Sequence, residues 1–227
     1  EEEVFPSCRL NVQSAPDEEA MNQAAEYLCV AKEPRFFIGD GIAYAGAQQE
    51  ITELADYMGA SVWGVDAGEM NMDATHPCYR GQTGHMFGSA SKSITENADV
   101  VLICGTYMMP EVFPELGEIY QKNAKVIHLD WDMEAIAKNH RVDLGLVGHP
   151  RLALKHLLEL VKNKTTKEQS ALMQERKSKL SPVQMDISHY SGTAITFFEE
   201  LSRLEPNPVI FDEALTGSPL LNAFYPC

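Results

Sequence analysis

Positive charge is scarce in this sequence. It contains 18 Lys and Arg residues against 33 Asp and Glu residues, so the formal net charge is −15. Nucleic acid and anionic membrane surfaces are held by clustered Lys and Arg. We therefore expect no nucleic acid and no membrane among the partners of this protein.

Paired cysteines and long apolar runs are also missing. The five cysteines show no CxxC spacing, which argues against a disulfide framework and against a structural zinc site. Every apolar stretch is too short to span a bilayer, and the first residues lack the pattern of a signal peptide. Together these absences predict a cytoplasmic protein.

The sequence does have the composition of a folded domain. Of its 227 residues, 44% are apolar and 22% are charged, which is enough for a sizeable core. It begins at Glu1 without a methionine and stops at Cys227 within an unfinished pattern. We expect it to be a piece of a longer protein.

Helical and strand patterns alternate along the middle of the sequence. Asp17 is expected to cap a first helix, Gly59 to end a second, and further helices are expected near 90–97, before 126, near 133–138 and at 152–161. Short apolar runs between them predict strands at 35–38, 61–65, 100–104, 126–130 and 142–147, whereas 66–88 is expected to be a loop. Strands that are apolar on both sides and separated by helices form parallel sheets. The predicted fold class is therefore α/β: a doubly wound, mostly parallel Rossmann-like sheet of five or six strands, with helices on both faces.

Changes in pattern suggest domain boundaries. Residues 1–17 are expected to be a linker from a missing N-terminal domain, and 18–162 the central α/β domain. Residues 163–206 are rich in Lys and Arg at first and predict a solvated, helical linker that ends in a helix at 193–204. A strand expected at 209–212 indicates that 207–227 opens a truncated C-terminal domain.

The most specific local signal is Gly39-Asp40-Gly41, followed by Gly46. A glycine-rich turn between a strand and a helix lets backbone N–H groups approach a phosphate. A tight turn without a ligand would use the same residues, so both interpretations stay open. Ligands of doubly wound sheets bind at the carboxyl ends of the strands, and Gly39, Gly105 and Asp130 are predicted to lie there.

No catalytic or metal-binding residue is predicted from the residues alone. Four polar residues of the 66–88 loop could imitate a metal cluster, but their spacing matches no ligand motif: Glu69, Asp73, His76 and His85. His128 and His140 stand beside strands and are interpreted as structural. No Ser-His-Asp or Cys-His arrangement is recognisable.

An ordered set of segments resembles the central domain of thiamine-diphosphate-dependent enzymes. The set comprises 33–41, 46–47, 54–62, 76–81, 98–105 and 125–130. The resemblance covers about 4–165 well and 207–225 loosely, and within the family it is closest to benzoylformate decarboxylases and to acetolactate-synthase-like proteins. Each segment is a weak signal, whereas their order is fairly specific.

The resemblance implies a parent enzyme with an N-terminal pyrimidine-binding domain and a C-terminal diphosphate-binding domain on either side of this one. Thiamine diphosphate and Mg²⁺ would then be bound by the full-length parent and not tightly by this piece, because the activating glutamate lies in the N-terminal domain. Thr216 and Ser218 are the candidate diphosphate contacts that the resemblance offers. Gly39-Asp40-Gly41 with Asn71 imitates the family's metal-binding motif, but the residues before Asn71 are not a strand.

Some relatives bind FAD or ADP in the central domain. The arginine that follows the strand-end glycine in FAD-binding synthases is missing, since Gly105 is followed by Thr106. The resemblance therefore argues against FAD. If this domain has any ligand pocket, we expect it between the loops after Ile38 and Cys104, formed by Gly39, Asp40, Gly41 and Gly105.

For the parent protein the resemblance implies a lyase or transferase that acts next to the carbonyl of a 2-oxo acid and assembles as a homo-oligomer. The piece itself is expected to be mainly structural and inactive. Two alternatives from other classes stay open: a stand-alone nucleotide-binding or regulatory module, and a purely structural oligomerisation domain.

Overall fold

Six strands form one parallel sheet in the structure, a computed structural model that describes residues 13–83, 86–184, 186–213 and 217–225. The strands are β1 (Pro34–Ile38), β2 (Ser61–Gly64), β3 (Tyr79–Gln82), β4 (Val100–Cys104), β5 (Lys125–Asp130) and β6 (Leu144–Val147). Their order is β3-β2-β1-β4-β5-β6, and every neighbouring pair is parallel. The predicted parallel, Rossmann-like sheet is confirmed, with six strands.

The helices are α1 (Glu18–Cys29), α2 (Gly41–Tyr44), α3 (Gln48–Met58), α4 (Gly88–Thr95), α5 (Pro150–Lys164), α6 (Lys167–Ser178), α7 (Gly192–Leu204) and α8 (Ser218–Phe224). Asp17 caps α1 as predicted, because its carboxylate accepts a hydrogen bond from Ala20 N at 3.0 Å. Gly59 ends α3 in the left-handed conformation, with φ +61°. Within the described ranges, no helix has both the length and the apolar character that crossing a membrane requires.

The two faces of the sheet are covered differently. On one face α1, α3, α5 and α6 bury a large core around Phe36, Leu102 and Ile127. The other face carries Phe37, Val101, Ile103 and Val126, and it is covered by the 105–124 segment and by Ile94 of α4. Helices therefore lie on both faces, as predicted, but the second face relies largely on a loop.

Two expected helices are absent from the described residues. The 105–124 segment contains turns and bends in place of a helix, since Pro110, Pro114 and Gly117 (φ +88°) interrupt it. The 133–138 segment also forms turns, and Ala137 has a positive φ of 59°, which a right-handed helix does not allow. Both predictions were wrong.

Two strand predictions also differ from the structure. β3 lies within the region expected to be a loop; it is a short, partly exposed edge strand, and Gly81 has φ +111°. The strand expected at 209–212 is not formed, although those residues are described. A strand needs a neighbour to bond, whereas here Phe211 is 95% exposed. That prediction was wrong for this chain.

α6 lies within the predicted helical linker, but one of its faces is packed and not solvated. Met173 is buried, and the Arg176 guanidinium donates to Ala31 O and Met58 O, each at 2.7 Å. Lys177 Nζ donates to Asp56 Oδ2 of α3 at 2.5 Å. α6 is therefore fixed against the sheet domain, and the boundary at residue 162 stays a prediction.

Candidate functional site

The carboxyl ends of β1 and β4 lie side by side at the centre of the sheet. Ile38 pairs with Cys104, and the chain then runs to opposite sides, from β1 to β2 and from β4 to β5. This is the switch point at which doubly wound sheets bind ligands. The structure therefore brings the predicted residues Gly39, Asp40, Gly41 and Gly105 to one rim.

At this rim the two glycine loops pack backbone against backbone. Gly39 N donates to Cys104 O at 3.3 Å, and Gly41 N donates to Gly105 O at 2.9 Å. A Cβ on Gly41 would lie 2.6 Å from Gly105 Cα, and one on Gly105 would lie 2.7 Å from Ile42 N. Glycine is needed at both positions, because the space between the loops is filled by main chain.

The N–H groups at the start of α2 are engaged within the protein. Ile42 N donates to Gly39 O at 2.9 Å, and Ala43 N donates to Asn71 Oδ1 at 3.1 Å. A phosphate at a helix N-terminus needs such N–H groups to be free. The geometry thus favours the tight-turn interpretation of the Gly39-Asp40-Gly41 segment.

Asp40 organises the loop that follows β2. Its carboxylate accepts from Gly68 N at 3.1 Å, from Glu69 N at 3.0 Å and from Asn71 Nδ2 at 3.1 Å. These contacts span about thirty residues of sequence, so periodicity could not reveal them. The one available signal was the pairing of an aspartate in a strand-end turn with a later asparagine.

Two rim loops are joined by His128 of β5. With a proton on Nε2, the ring donates to Thr106 O at 2.8 Å while Nδ1 accepts from Ala137 N at 3.4 Å. Burial lowers the pKa of His128 to about 4. A neutral imidazole with both nitrogens engaged is a structural histidine, which agrees with the interpretation from sequence.

Asp130 ends β5 at the same rim. Only 3% of the residue is exposed, and its Oδ1 accepts from Asp132 N at 2.8 Å. Burial raises the pKa of Asp130 to about 6, and the charge of Asp132 adds to the shift. The nearby Cys104 thiol also has a raised pKa, chiefly through burial and secondarily through Asp130, so it is not an activated nucleophile.

Among the other candidate residues that the structure describes, Glu69 reaches this rim through its main-chain N–H, which donates to Asp40. No contact that the structure records brings Ser218, Asp73 or His76 there. Ser218 is the first residue of α8, and Thr216 lies outside the described residues. In the 66–88 loop, Asp73 accepts from Thr75 and His76 Nδ1 accepts from Cys78 N, whereas His85 lies outside the described residues. Across the part of the chain that the structure describes, no three His, Cys, Asp or Glu side chains gather into a metal site.

Comparison with known proteins identifies the family of the domain that carries this rim. The family model for the central domain of thiamine pyrophosphate enzymes matches residues 21–157, which run from α1 through all six strands of the sheet to α5. The chain belongs to the thiamine pyrophosphate enzymes. The resemblance drawn from the ordered segments is confirmed.

Relatives with known names lie in the same family. The chain is similar to a sulfoacetaldehyde acetyltransferase of Roseovarius nubinhibens, with 34% identity over 62% of this chain and 24% of the relative. It is also similar to the acetolactate synthase isozyme 3 large subunit of Escherichia coli, with 31% identity over 62% of this chain and 24% of the relative. The chain therefore spans about a quarter of the length of these two relatives.

Solved structures show the same fold. A protein from Mycobacterium smegmatis described as a thiamin diphosphate-dependent enzyme superposes with a TM-score of 0.77 and 24% identity, over 98% of this chain and 42% of that one. Benzoylformate decarboxylase from Polynucleobacter necessarius superposes with a TM-score of 0.73 and 17% identity, over 98% of this chain and 41% of that one. At these identities the likeness is one of fold.

Proposed function

We propose that this chain is the central domain, with the first part of a C-terminal domain, of a thiamine-diphosphate-dependent enzyme that breaks or forms a C–C bond next to the carbonyl of a 2-oxo acid. The family match over the sheet carries the proposal. In the proposed division, 1–17 is a linker, 18–162 the central domain, 163–206 a helical linker and 207–227 the start of the diphosphate-binding domain.

The role proposed for the central domain is structural. When bound, thiamine diphosphate supplies a thiazolium carbanion that attacks the carbonyl and then stores the electrons released by bond cleavage. Thr216 and Ser218 are proposed as its diphosphate contacts within this chain. The Mg²⁺ site is proposed to lie elsewhere in the parent, since the described residues offer no cluster of ligands.

Calorimetry on the chain tests this division of labour. With thiamine diphosphate and Mg²⁺ we expect no saturable heat, because the activating glutamate and the metal-binding motif are proposed to lie in other parts of the parent. A dissociation constant of ~1 μM or below, about −8 kcal/mol, would contradict the proposal. The full-length protein with both cofactors should release CO₂ from a 2-oxo acid or ligate it to a second carbonyl compound, and failure on pyruvate and benzoylformate alike would count against the proposed reaction.

We also propose that the rim binds nucleotides weakly or not at all, and that it lacks strong affinity for FAD. The N–H groups of the turn are engaged, the loops carry no Lys or Arg at 39–47 or 105–109, and Asp40 adds negative charge. Purified protein should be colourless, and a flavin absorbance band would contradict this. A saturable titration with ADP at micromolar concentration would contradict the weak nucleotide binding that is proposed here.

Location and assembly complete the proposal. A cytoplasmic location is consistent with the cysteines: among those described, Cys29, Cys78 and Cys104 are free and buried. Homo-oligomeric assembly is proposed from the family alone. Sedimentation of the full-length protein would test assembly, and a monomer at micromolar concentration would contradict it.

A further inference from the structure

The carboxylate of Asp40 lies within a set of hydrogen-bond donors that could hold any small anion. The main-chain N–H groups of Gly68 and Glu69 are consecutive, and both point to Oδ1, at 3.1 and 3.0 Å. The Asn71 amide donates to the same oxygen at 3.1 Å, while Oδ2 lies 3.1 Å from Gly68 N. Consecutive N–H groups directed at one point form concave anion sites in proteins.

These donors are held in place by contacts other than Asp40. Asn71 is 4% exposed, and its Oδ1 accepts from Ala43 N at 3.1 Å. Its Nδ2 also donates to Glu69 O at 3.1 Å, and the main chain at Met70 accepts from Gln48 Nε2 at 3.4 Å. The site therefore has a frame of its own, built by α2, α3 and the loop itself.

The position of this site matters for ligand binding. It lies beside the switch point between β1 and β4, where a doubly wound sheet receives the phosphate of a ligand. Asp40 already places a negative charge there. A phosphate bound there would either displace the Asp40 carboxylate or be repelled by its negative charge at short range.

We propose that Asp40 is a resident anion, which fills the site formed by Gly68 N, Glu69 N and Asn71 Nδ2 and thereby closes the rim to phosphate-bearing ligands. The contact orders the loop without a ligand and excludes an anionic one. The proposal does not depend on the reaction of the longer protein.

Chemical rescue tests this directly. Asp40→Gly removes a CH₂–COO⁻ group, and acetate supplies the same carboxylate on one carbon. We expect acetate to raise the thermal unfolding midpoint of Asp40→Gly by about 2 °C or more over chloride at equal pH and ionic strength, as expected when an anion binds only the folded state. Asp40→Asn is the matched control, because its amide fills the space and leaves no room for acetate.

Phosphate and ADP test the exclusion. Both should stabilise Asp40→Gly selectively and leave the wild-type midpoint where chloride leaves it. Equal stabilisation of the wild type by phosphate would show that Asp40 does not close the site. Asp40→Ala with formate is the second variant and probe. If neither variant is stabilised selectively by its anion, the proposal is wrong, and the same holds if neither variant folds in any of the buffers.

Discussion

Asn71 Nδ2 donates to Asp40 Oδ1 at 3.1 Å and joins the turn after β1 to the loop after β2. In sequence, Gly39-Asp40-Gly41 with a later Asn imitates a diphosphate- and metal-binding motif of the same family. In the structure the two side chains bind each other and main-chain N–H groups. The same residue types therefore have a structural role here.

The close approach of the glycine loops gives the first prediction. Gly105→Ala should cost more than about 3 kcal/mol of unfolding free energy, because its Cβ would lie 2.7 Å from Ile42 N at a φ of +68°. Gly46→Ala is the control, since it has φ +60° with open space around it and should lose only about 1 kcal/mol. Urea unfolding measures both, and equal losses would show that the contact contributes nothing.

The second prediction concerns the attachment of α6. Arg176→Ala should lower the unfolding free energy by about 2 kcal/mol, because the buried carbonyls of Ala31 and Met58 lose a charged donor. Arg203→Ala is the control: this exposed side chain pairs with Glu200 of its own helix, and its loss should cost no more than about 0.5 kcal/mol. Equal small effects would mean that α6 is not part of the folded unit.

Helix periodicity was the most reliable signal in the sequence. The buried positions of α1 (Met21, Ala24, Ala25, Leu28 and Cys29) are the ones that the i, i+3, i+4 spacing selects. Strands β1 and β4 were equally clear, since they are short, apolar and central. At these elements, the residues that the sequence pattern marks as apolar are the ones that the structure buries.

Elements that depend on distant partners were missed. β3 is recognisable only beside β2, because its four residues carry little apolar signal. The 105–124 segment buries Met108, Met109 and Ile119, and apolar residues at such spacing also suggest a helix. The expected strand at 209–212 has the right residues but no neighbour. At the rim, sequence located the glycines, whereas the roles of Asp40 and His128 depend on contacts with residues far along the chain.

The third prediction follows from the burial of Asp130. Its pKa is raised from 3.8 to about 6. Its favourable contribution to the free energy of unfolding is therefore complete below about pH 4 and is lost as the pH rises through 6. Asp130→Asn keeps an oxygen for Asp132 N and should gain about 2 kcal/mol relative to wild type between pH 4 and pH 7. Unfolding in urea at each pH checks this. Glu134→Gln, at an exposed position of the same segment, is measured in parallel as the control, and a flat difference for Asp130→Asn would contradict the prediction.

The fourth prediction concerns His128, whose pH dependence has the opposite sign. Burial lowers its pKa from 6.5 to about 4, so its contribution is complete above pH 6.5 and is lost as pH falls toward 4. In the neutral ring Nδ1 accepts a hydrogen bond from Ala137 N. In the protonated ring Nδ1 would carry a hydrogen of its own, and the two N–H groups would face each other. His128→Gln retains a donor for Thr106 O but does not titrate. The wild type should therefore lose about 3 kcal/mol relative to this variant between pH 7 and pH 4.

Over part of the same pH range, the contribution of Asp130 to the unfolding free energy rises as the pH falls, opposite to that of His128. The unfolding free energy of the wild type should therefore change little with pH, and each residue's contribution is seen only by comparison with its variant. Urea midpoints at pH 7, 6, 5 and 4 measure the difference between wild type and His128→Gln, with the exposed His189→Gln as the control. A difference that stays constant across these pH values would mean that His128 is not held neutral by the fold.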